Sequence, residues 1–144
     1  MDVRCFVVCG DGTRAAAGLH GSTAGTARSV IRKLRQDGKK VGLIKLWLFR
    51  PFPKEEILAV ANNLKALAVL ERTLSFGAPA GPLFNDVMAS LQQSRRSLNV
   101  FDVICGLGGR YISSIEIEGI LKDALEVAST GKVKENVKFV GVRE

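Results

Sequence analysis

The chain alternates short apolar runs with longer segments that are apolar on one side only. Four runs predict strands, because they are rich in β-branched and large apolar residues and stop at turn formers or charges: residues 3–9, 41–49, 66–70 and 99–105. The run over 41–49 is apolar at nearly every position, which is typical of a strand buried on both faces, and we interpret it as the central strand. Pro51 and Pro53 end it and hold Arg50 in extended backbone.

Between these runs, apolar residues recur every three to four positions, which predicts helices. The first predicted helix follows a glycine loop over 21–26 and ends at Gly38. The second begins at Lys54 and the third at Pro82. The fourth is capped by Ser113 or Ser114. The expected inward residues are Ala27, Val30, Ile31 and Leu34; Ile57, Leu58, Ala61 and Leu64; Leu83, Phe84, Val87, Met88 and Leu91; and Ile117, Ile120, Leu121, Ala124 and Leu125.

Alternating strands and helices predict an α/β three-layer sandwich, an open and mostly parallel sheet with helices on both faces. The length of 144 residues suits a single domain spanning 1–144. Residues 13–20 carry signals for both helix and loop and are not assigned. The charged tail over 130–144 is a candidate edge strand through Val137 to Val142.

Composition narrows the class of protein further. Hydrophobic residues make up 47% and the longest apolar runs are too short to cross a bilayer. The start of the chain does not resemble a signal peptide, and the cysteine pattern described below favours a reducing cytoplasm. The net charge of +7 leaves nucleic acid, anionic cofactors and acidic proteins open. Trp47 and Tyr111 are not interleaved with the basic residues, which argues against nucleic acid.

The three cysteines favour a reducing compartment. Cys5 and Cys9, if both lie on one strand, are about 13 Å apart, too far to form a disulfide with each other. No Cys-x-x-Cys spacing occurs and His20 is the single histidine, so we expect no metal site. Cys105 is either a reactive thiol near a helix amino end or, more commonly at such positions, a buried inert cysteine.

Loops that follow parallel strands meet at one edge of the sheet, where ligands usually bind. Here they are residues 21–26, 50–53, 71–81 and 106–110, and they bring Arg50, Arg72 and Arg110 together with glycine-rich backbone. Free N–H groups and arginines would suit a phosphate. The Gly-x-Gly-x-x-Gly and Gly-Lys-Ser/Thr fingerprints are absent.

Two further constellations have competing explanations. Ser22 could act as a nucleophile with His20 as its base, but a helix cap is the favoured reading. Glu71 and Arg72 could be an acid/base pair, although a salt bridge or subunit contact at the rim is more common.

Five motifs in this order resemble one domain of the 2-oxoacid:ferredoxin oxidoreductases, the pyruvate synthases. They are GSTAGTAR over 21–28, LFRPFP over 48–53, ERTLSFG over 71–77, GPLF over 81–84 and GLGGR over 106–110. The resemblance implies the second domain of the family's α subunit, with the fold of the carboxyl-terminal domain of transketolases. Tyr111 departs from the family pattern, in which an Asp commonly follows Gly-Gly-Arg.

The resemblance also implies a function for the assembly. The family oxidatively decarboxylates a 2-oxoacid on thiamine diphosphate, passes electrons through 4Fe-4S clusters to ferredoxin, and forms acyl-coenzyme A. This chain has no cysteine array, and Gly10-Asp11-Gly12 lacks the Asn-Asn that normally follows. We therefore expect a non-catalytic structural domain or subunit that is inactive alone. Thiamine diphosphate, magnesium and the clusters are expected in companion domains or subunits.

The expected functional surface is a rim that contacts companion domains or an anion, with no catalytic residue and no metal ligand. Its residues are Gly21, Ser22, Thr23, Gly25, Arg50, Phe52, Arg72, Phe76, Gly77, Gly108, Gly109 and Arg110. Expected partners are other parts of the oxidoreductase, with ferredoxin reached through them; a homodimer is also open. We expect neither nucleic acid nor a membrane as a partner. The alternative function is a free-standing anion- or nucleotide-binding module.

Overall fold

The computed structural model describes residues 5–10, 22–46, 49–93 and 97–142, with backbone alone at 5–10 and 22. The strands are β1 (Cys5–Gly10), β2 (Val41–Leu46), β3 (Ala66–Glu71), β4 (Asn99–Cys105) and β5 (Val137–Val140). The helices are α1 (Ser22–Gln36), α2 (Lys54–Ala61), α3 (Pro82–Leu91) and α4 (Ser114–Thr130), with a single 3-10 turn at Leu107–Gly109.

The five strands form one sheet in the order β2-β1-β3-β4-β5, and every neighbouring pair is parallel. The α/β fold predicted from the sequence is confirmed, and the charged tail does add an edge strand. The chain moves outward from β1 to β2 and then returns to the other side of β1 with β3. This reversal places a topological switch point between β1 and β3, where α/β sheets open a crevice at their carboxyl edge.

The prediction that residues 41–49 form the central strand is wrong. β2 spans Val41–Leu46 and lies at one edge of the sheet, while β3, buried at all six positions, lies in the middle. The apolar pattern misleads because both faces of β2 are partly covered. Leu43 packs against one apolar layer, and Ile44 and Leu46 pack against the other.

Alternation along β3 and β4 divides the core into two layers. Ala66, Ala68 and Leu70 face the layer of α1 and α4, whereas Leu67 and Val69 face the layer of α2 and α3. The first layer also holds Ala27, Val30, Ile31, Leu34, Phe101, Val103, Cys105, Ile117, Ile120, Leu121 and Ala124. The second holds Ala61, Leu64, Leu83, Val87, Leu91 and Val100. The same alternation continues along β3 and β4 past Leu70 and Phe101. It determines which face of the sheet each polar residue there occupies.

Three details differ from the sequence-based expectations. Residues 22–26 belong to α1 and do not form a glycine loop, since Gly25 is tolerated inside a helix whose inner face is apolar. Met88 is 42% exposed because Leu83, Val87 and Leu91 already fill the inner face of α3. Leu125 is only half-buried, and Val127 takes the expected inward place in α4.

Ser113 is the cap of α4. Its side chain accepts a hydrogen bond from the Glu116 N–H at 3.2 Å, and the Glu116 carboxylate accepts one from the Ser113 N–H at 2.7 Å. This reciprocal capping box decides between Ser113 and Ser114. In the part of the chain that the structure describes, no helix is long and apolar enough to cross a membrane.

Candidate functional site

Two acidic side chains of the central strands hold the amino end of α3. Glu71, the last residue of β3, accepts hydrogen bonds from the N–H groups of Leu83 (2.8 Å) and Phe84 (2.7 Å). Asp102 of β4 accepts one from the Gly81 N–H at 2.8 Å. Both carboxylates therefore bind backbone donors that a helix start leaves unpaired. The predicted salt bridge between Glu71 and Arg72 at the rim is not formed.

These two carboxylates are almost completely buried. Burial raises the pKa of Glu71 to about 6, against the opposing effect of its two backbone hydrogen bonds, and the nearby Asp102 adds to the increase. Burial likewise raises the pKa of Asp102 above its usual range. The Oδ1 atom of Asp102 has no hydrogen-bond partner among the described residues. The pair thus fixes α3 and the loop before it.

Arg72 points to the opposite side of the sheet from Glu71, as alternation requires. Its guanidinium donates to the hydroxyl of Thr23, near the amino end of α1, at 3.2 Å. This contact joins the loop after β3 to α1, which follows β1, across the switch point. Cys105 lies on the same side, and burial raises the pKa of its thiol to about 11. Of the two readings of Cys105, the structure supports the buried inert cysteine.

The segment after β2 is held against α3. The Arg50 guanidinium donates to Asp86 at 2.7 Å and to the Phe49 carbonyl at 3.0 Å, and its carbon lies 4.0 Å from the centre of the Phe49 ring. Phe52 packs edge-on against Phe49, with ring centres 6.5 Å apart, and is half-buried. Arg50 and Phe52 are therefore engaged within the chain on the side of α2 and α3.

The turn after β4 is built on glycines in the left-handed region. Gly108 and Gly109 have φ of 67° and 76°, which bulkier residues rarely adopt, and both have open space around them. Arg110 then donates to the carbonyl of Gly141, just beyond β5, at 2.8 Å. The turn thus ties the end of β4 to the edge strand.

The three arginines of the predicted rim form hydrogen bonds with different parts of the chain. Arg50 bonds to α3, Arg72 to α1 and Arg110 to the end of β5, so the three guanidinium groups are held by three different elements. Gly21 and His20 lie outside the described residues, as does the Ser22 side chain.

Exposed apolar residues are the feature of this edge that sequence reasoning largely missed. Phe76, which the sequence did indicate, is fully exposed beside Gly77 in the loop after β3. Tyr111 (73% exposed) and Ile115 (81% exposed) follow β4 at the same carboxyl edge. The sequence could have indicated this exposure, because Tyr111 and Ile115 flank the Ser113 cap and do not belong to the predicted inward face of the helix. Large apolar side chains are thus presented to solvent at this edge of the sheet.

The described residues hold no candidate metal site. They contain no group of three His, Cys, Asp or Glu residues that could hold a metal ion. Cys105 is buried with a raised pKa, which is the opposite of a thiolate ligand.

The fold is a parallel α/β domain with exposed apolar side chains at the carboxyl edge of its sheet. The sequence matches the family described as "Pyruvate:ferredoxin oxidoreductase core domain II" over residues 17–117, and the chain belongs to that family. The match includes each of the loop motifs from Gly21 to Arg110.

Curated relatives place the family match in larger subunits. The chain is 37% identical over 124 residues to pyruvate synthase subunit PorA of Thermotoga maritima, covering 86% of this chain and 31% of that subunit. It is 40% identical over 117 residues to ketoisovalerate oxidoreductase subunit VorA of Pyrococcus furiosus, covering 81% of this chain and 29% of that subunit. The chain thus spans about a third of the length of the relatives it matches.

Two solved structures support the fold. The 2-oxoglutarate:ferredoxin oxidoreductase from Magnetococcus marinus aligns with a TM-score of 0.60 at 20% identity, over 86% of this chain and 18% of that one. A split-gene transketolase, described as an inactive β4 tetramer, aligns with a TM-score of 0.61 at 14% identity, over 88% and 40% of the two chains. At these identities the likeness concerns the fold alone, and it agrees with the transketolase-like fold expected from the sequence.

Proposed function

We propose that this chain is a non-catalytic assembly domain or subunit of a 2-oxoacid:ferredoxin oxidoreductase that depends on thiamine diphosphate. The assembly would convert a 2-oxoacid such as pyruvate and coenzyme A into acyl-coenzyme A and CO2. Thiamine diphosphate, magnesium and 4Fe-4S clusters would be held by companion domains or subunits, and ferredoxin would receive electrons from those. The protein would work in the cytoplasm.

One observation carries the proposal: a chain of this family presents Phe76, Tyr111 and Ile115 to solvent at the carboxyl edge of its sheet. Large apolar side chains gain most when a partner covers them, and aromatic residues are common anchors at interfaces. The relatives are about three times as long as this chain, so the covering surface would be the rest of such a subunit or its neighbours. We call Phe76, Tyr111 and Ile115 the carboxyl-edge patch.

The test is reconstitution with the purified catalytic subunits of the same oxidoreductase. Mass in solution is measured for the chain alone and for the mixture, and pyruvate-dependent electron transfer is assayed in parallel. We expect no activity from the chain alone and a stable complex in the mixture. A chain that stays monodisperse and ignores these subunits would refute the proposal, and the same mass measurement reports whether it forms a homodimer.

Variants identify the surface used. Phe76→Ser and Ile115→Ser should each weaken the complex about tenfold, because each removes a buried apolar contact worth more than 1 kcal/mol. Met88→Ser is the matched control, since Met88 is also exposed but lies on α3 away from the patch. Equal losses from all three variants would mean that the carboxyl edge is not the docking surface.

A further inference from the structure

The first helix carries a row of positive charge on its outer side. Arg28, Arg32 and Arg35 are spaced four and three residues apart, so they share one flank of α1, and all three are exposed. We call these three residues the α1 arginine row. No acidic side chain of the described residues forms a salt bridge with Arg28 or Arg32, and Arg35 donates to the Val41 carbonyl at 2.7 Å. The row therefore lies beside edge strand β2.

The helix itself does not need this charge. Residues 22–36 contain four basic residues and no Asp or Glu. Like charges at positions i and i+4, such as Arg28 and Arg32, cost a helix about 0.2–0.5 kcal/mol. The helix dipole favours a positive charge in the last turn, which explains Arg35, but Arg28 lies in the first half of the helix. Repulsion within the α1 arginine row thus destabilises the helix in the isolated chain, and a negatively charged neighbour would offset this repulsion.

The adjacent helix shows the opposite arrangement. In α4, three of the four acidic residues form salt bridges with lysines of the same chain: Lys122–Glu118 at 2.8 Å, Lys134–Glu126 at 2.7 Å, and Lys138–Asp123. A second copy of the chain would therefore find no free acidic face on α4 to set against the α1 arginine row. We therefore look for the neutralising charge in a different molecule or in a part of the subunit outside this chain.

We infer that the α1 arginine row docks against an acidic protein surface in the companion part of the oxidoreductase, an inference that rests on the proposed function. A protein fits better than nucleic acid, because the row is short and α1 has no aromatic residue on which a base could stack. The relatives continue for about twice the length of this chain beyond the matched region, which supplies the necessary protein surface. Together with the carboxyl-edge patch, the row would give the domain an apolar contact and an electrostatic one.

The test measures binding of the full chain to the purified catalytic subunits at low and high salt, about 50 and 300 mM NaCl. Arg28→Glu/Arg32→Glu should weaken binding at least tenfold at low salt and flatten its salt dependence, because it reverses exposed charges whose attraction to the partner is screened by salt. The control is Lys65→Glu/Lys132→Glu, two exposed lysines outside α1. Both doubles lower the net charge from +7 to +3, and the control should change binding less than threefold.

Each outcome has one meaning. Equal losses of binding affinity in the two double variants would show an effect of net charge and would refute docking through the α1 arginine row. Undiminished binding of the Arg28→Glu/Arg32→Glu variant would refute it as well. Circular dichroism and the milder Arg28→Gln/Arg32→Gln variant separate lost contacts from lost folding. A wild-type chain that forms no complex would refute the proposed function and this inference together. Preferential binding of a fluorescent DNA duplex, lost in the arginine double, would assign the row to nucleic acid instead.

Discussion

The carboxylate of Glu71 lies directly against the backbone of Gly81. A Cβ atom added at Gly81 would lie 2.8 Å from Oε2 of Glu71 and closer still to its Oε1 and Cδ. Gly81 has an ordinary extended backbone, with φ of −71°, so its conformation alone does not require glycine. Close approach does: the carboxylate reaches the Leu83 and Phe84 N–H groups only by passing the position that a side chain would occupy.

Gly81→Ala should therefore destabilise the protein by about 1–3 kcal/mol, because the pinned carboxylate has to move and give up hydrogen bonds to α3. Chemical denaturation at neutral pH measures this change. The control is Gly119→Ala, since Gly119 lies inside α4 with open space around it. That variant should stabilise by about 1 kcal/mol through helix propensity. The reverse order of the two stabilities would contradict the close approach of Glu71 and Gly81.

The raised pKa of Glu71 predicts a pH-dependent stability. The folded protein binds the proton up to about pH 6, whereas the unfolded chain releases it near the usual value of 4.5. The folded state therefore holds more protons between these values, and the stability contributed by protonated Glu71 is lost as the pH rises through this window. Relative to Glu71→Gln, wild type should lose about 2 kcal/mol of unfolding free energy between about pH 4.5 and above pH 6.

Denaturant titrations of both proteins at closely spaced pH values provide the measurement. Glu56→Gln, an exposed substitution on α2, should follow the wild-type curve because Glu56 lacks the burial that causes the effect. A wild-type stability that rises relative to Glu71→Gln over this range would show that the two backbone hydrogen bonds outweigh burial.

The positions of strands and helices could be predicted from the sequence, because hydrophobic periodicity and turn-forming residues act locally. β4 has the predicted bounds, β3 exceeds them by one residue, and α3 begins at Pro82 as expected. The order of the strands was not readable in this way. β2 is apolar because both helix layers reach it, and such a strand has the same pattern at an edge as in the centre.

The candidate site was predictable only in part. The motifs located the carboxyl-edge loops and Phe76, and the family match agrees with them. The role of each charged residue depends on which face of the sheet its side chain occupies, and neighbouring positions in a strand point to opposite faces. Glu71 therefore binds α3 while Arg72 reaches Thr23 of α1. A lone Asp102 within an apolar strand was the available signal for the second buried carboxylate.

The capping box of α4 predicts a measurable difference between neighbouring serines. Ser113→Ala removes the acceptor for the Glu116 N–H and should destabilise the protein by about 1 kcal/mol. Ser114→Ala, one residue further on, should stay within about 0.5 kcal/mol of wild type because Ser114 is exposed and is not the cap. Thermal and denaturant unfolding provide the comparison. A larger loss at Ser114 would place the start of α4 one residue later.

Cys105 should be unreactive in the folded protein. Its side chain is 2% exposed and burial raises the pKa of its thiol to about 11, so at pH 8 only about one molecule in a thousand carries the reactive thiolate. Iodoacetamide labelling followed by trypsin isolates Cys105 in the peptide over residues 97–110, separate from Cys5 and Cys9. We expect alkylation at Cys105 to be at least a hundredfold slower in buffer than in denaturant. Equal rates would mean that the end of β4 opens to solvent and would restore the reactive-thiol reading that the buried geometry now opposes.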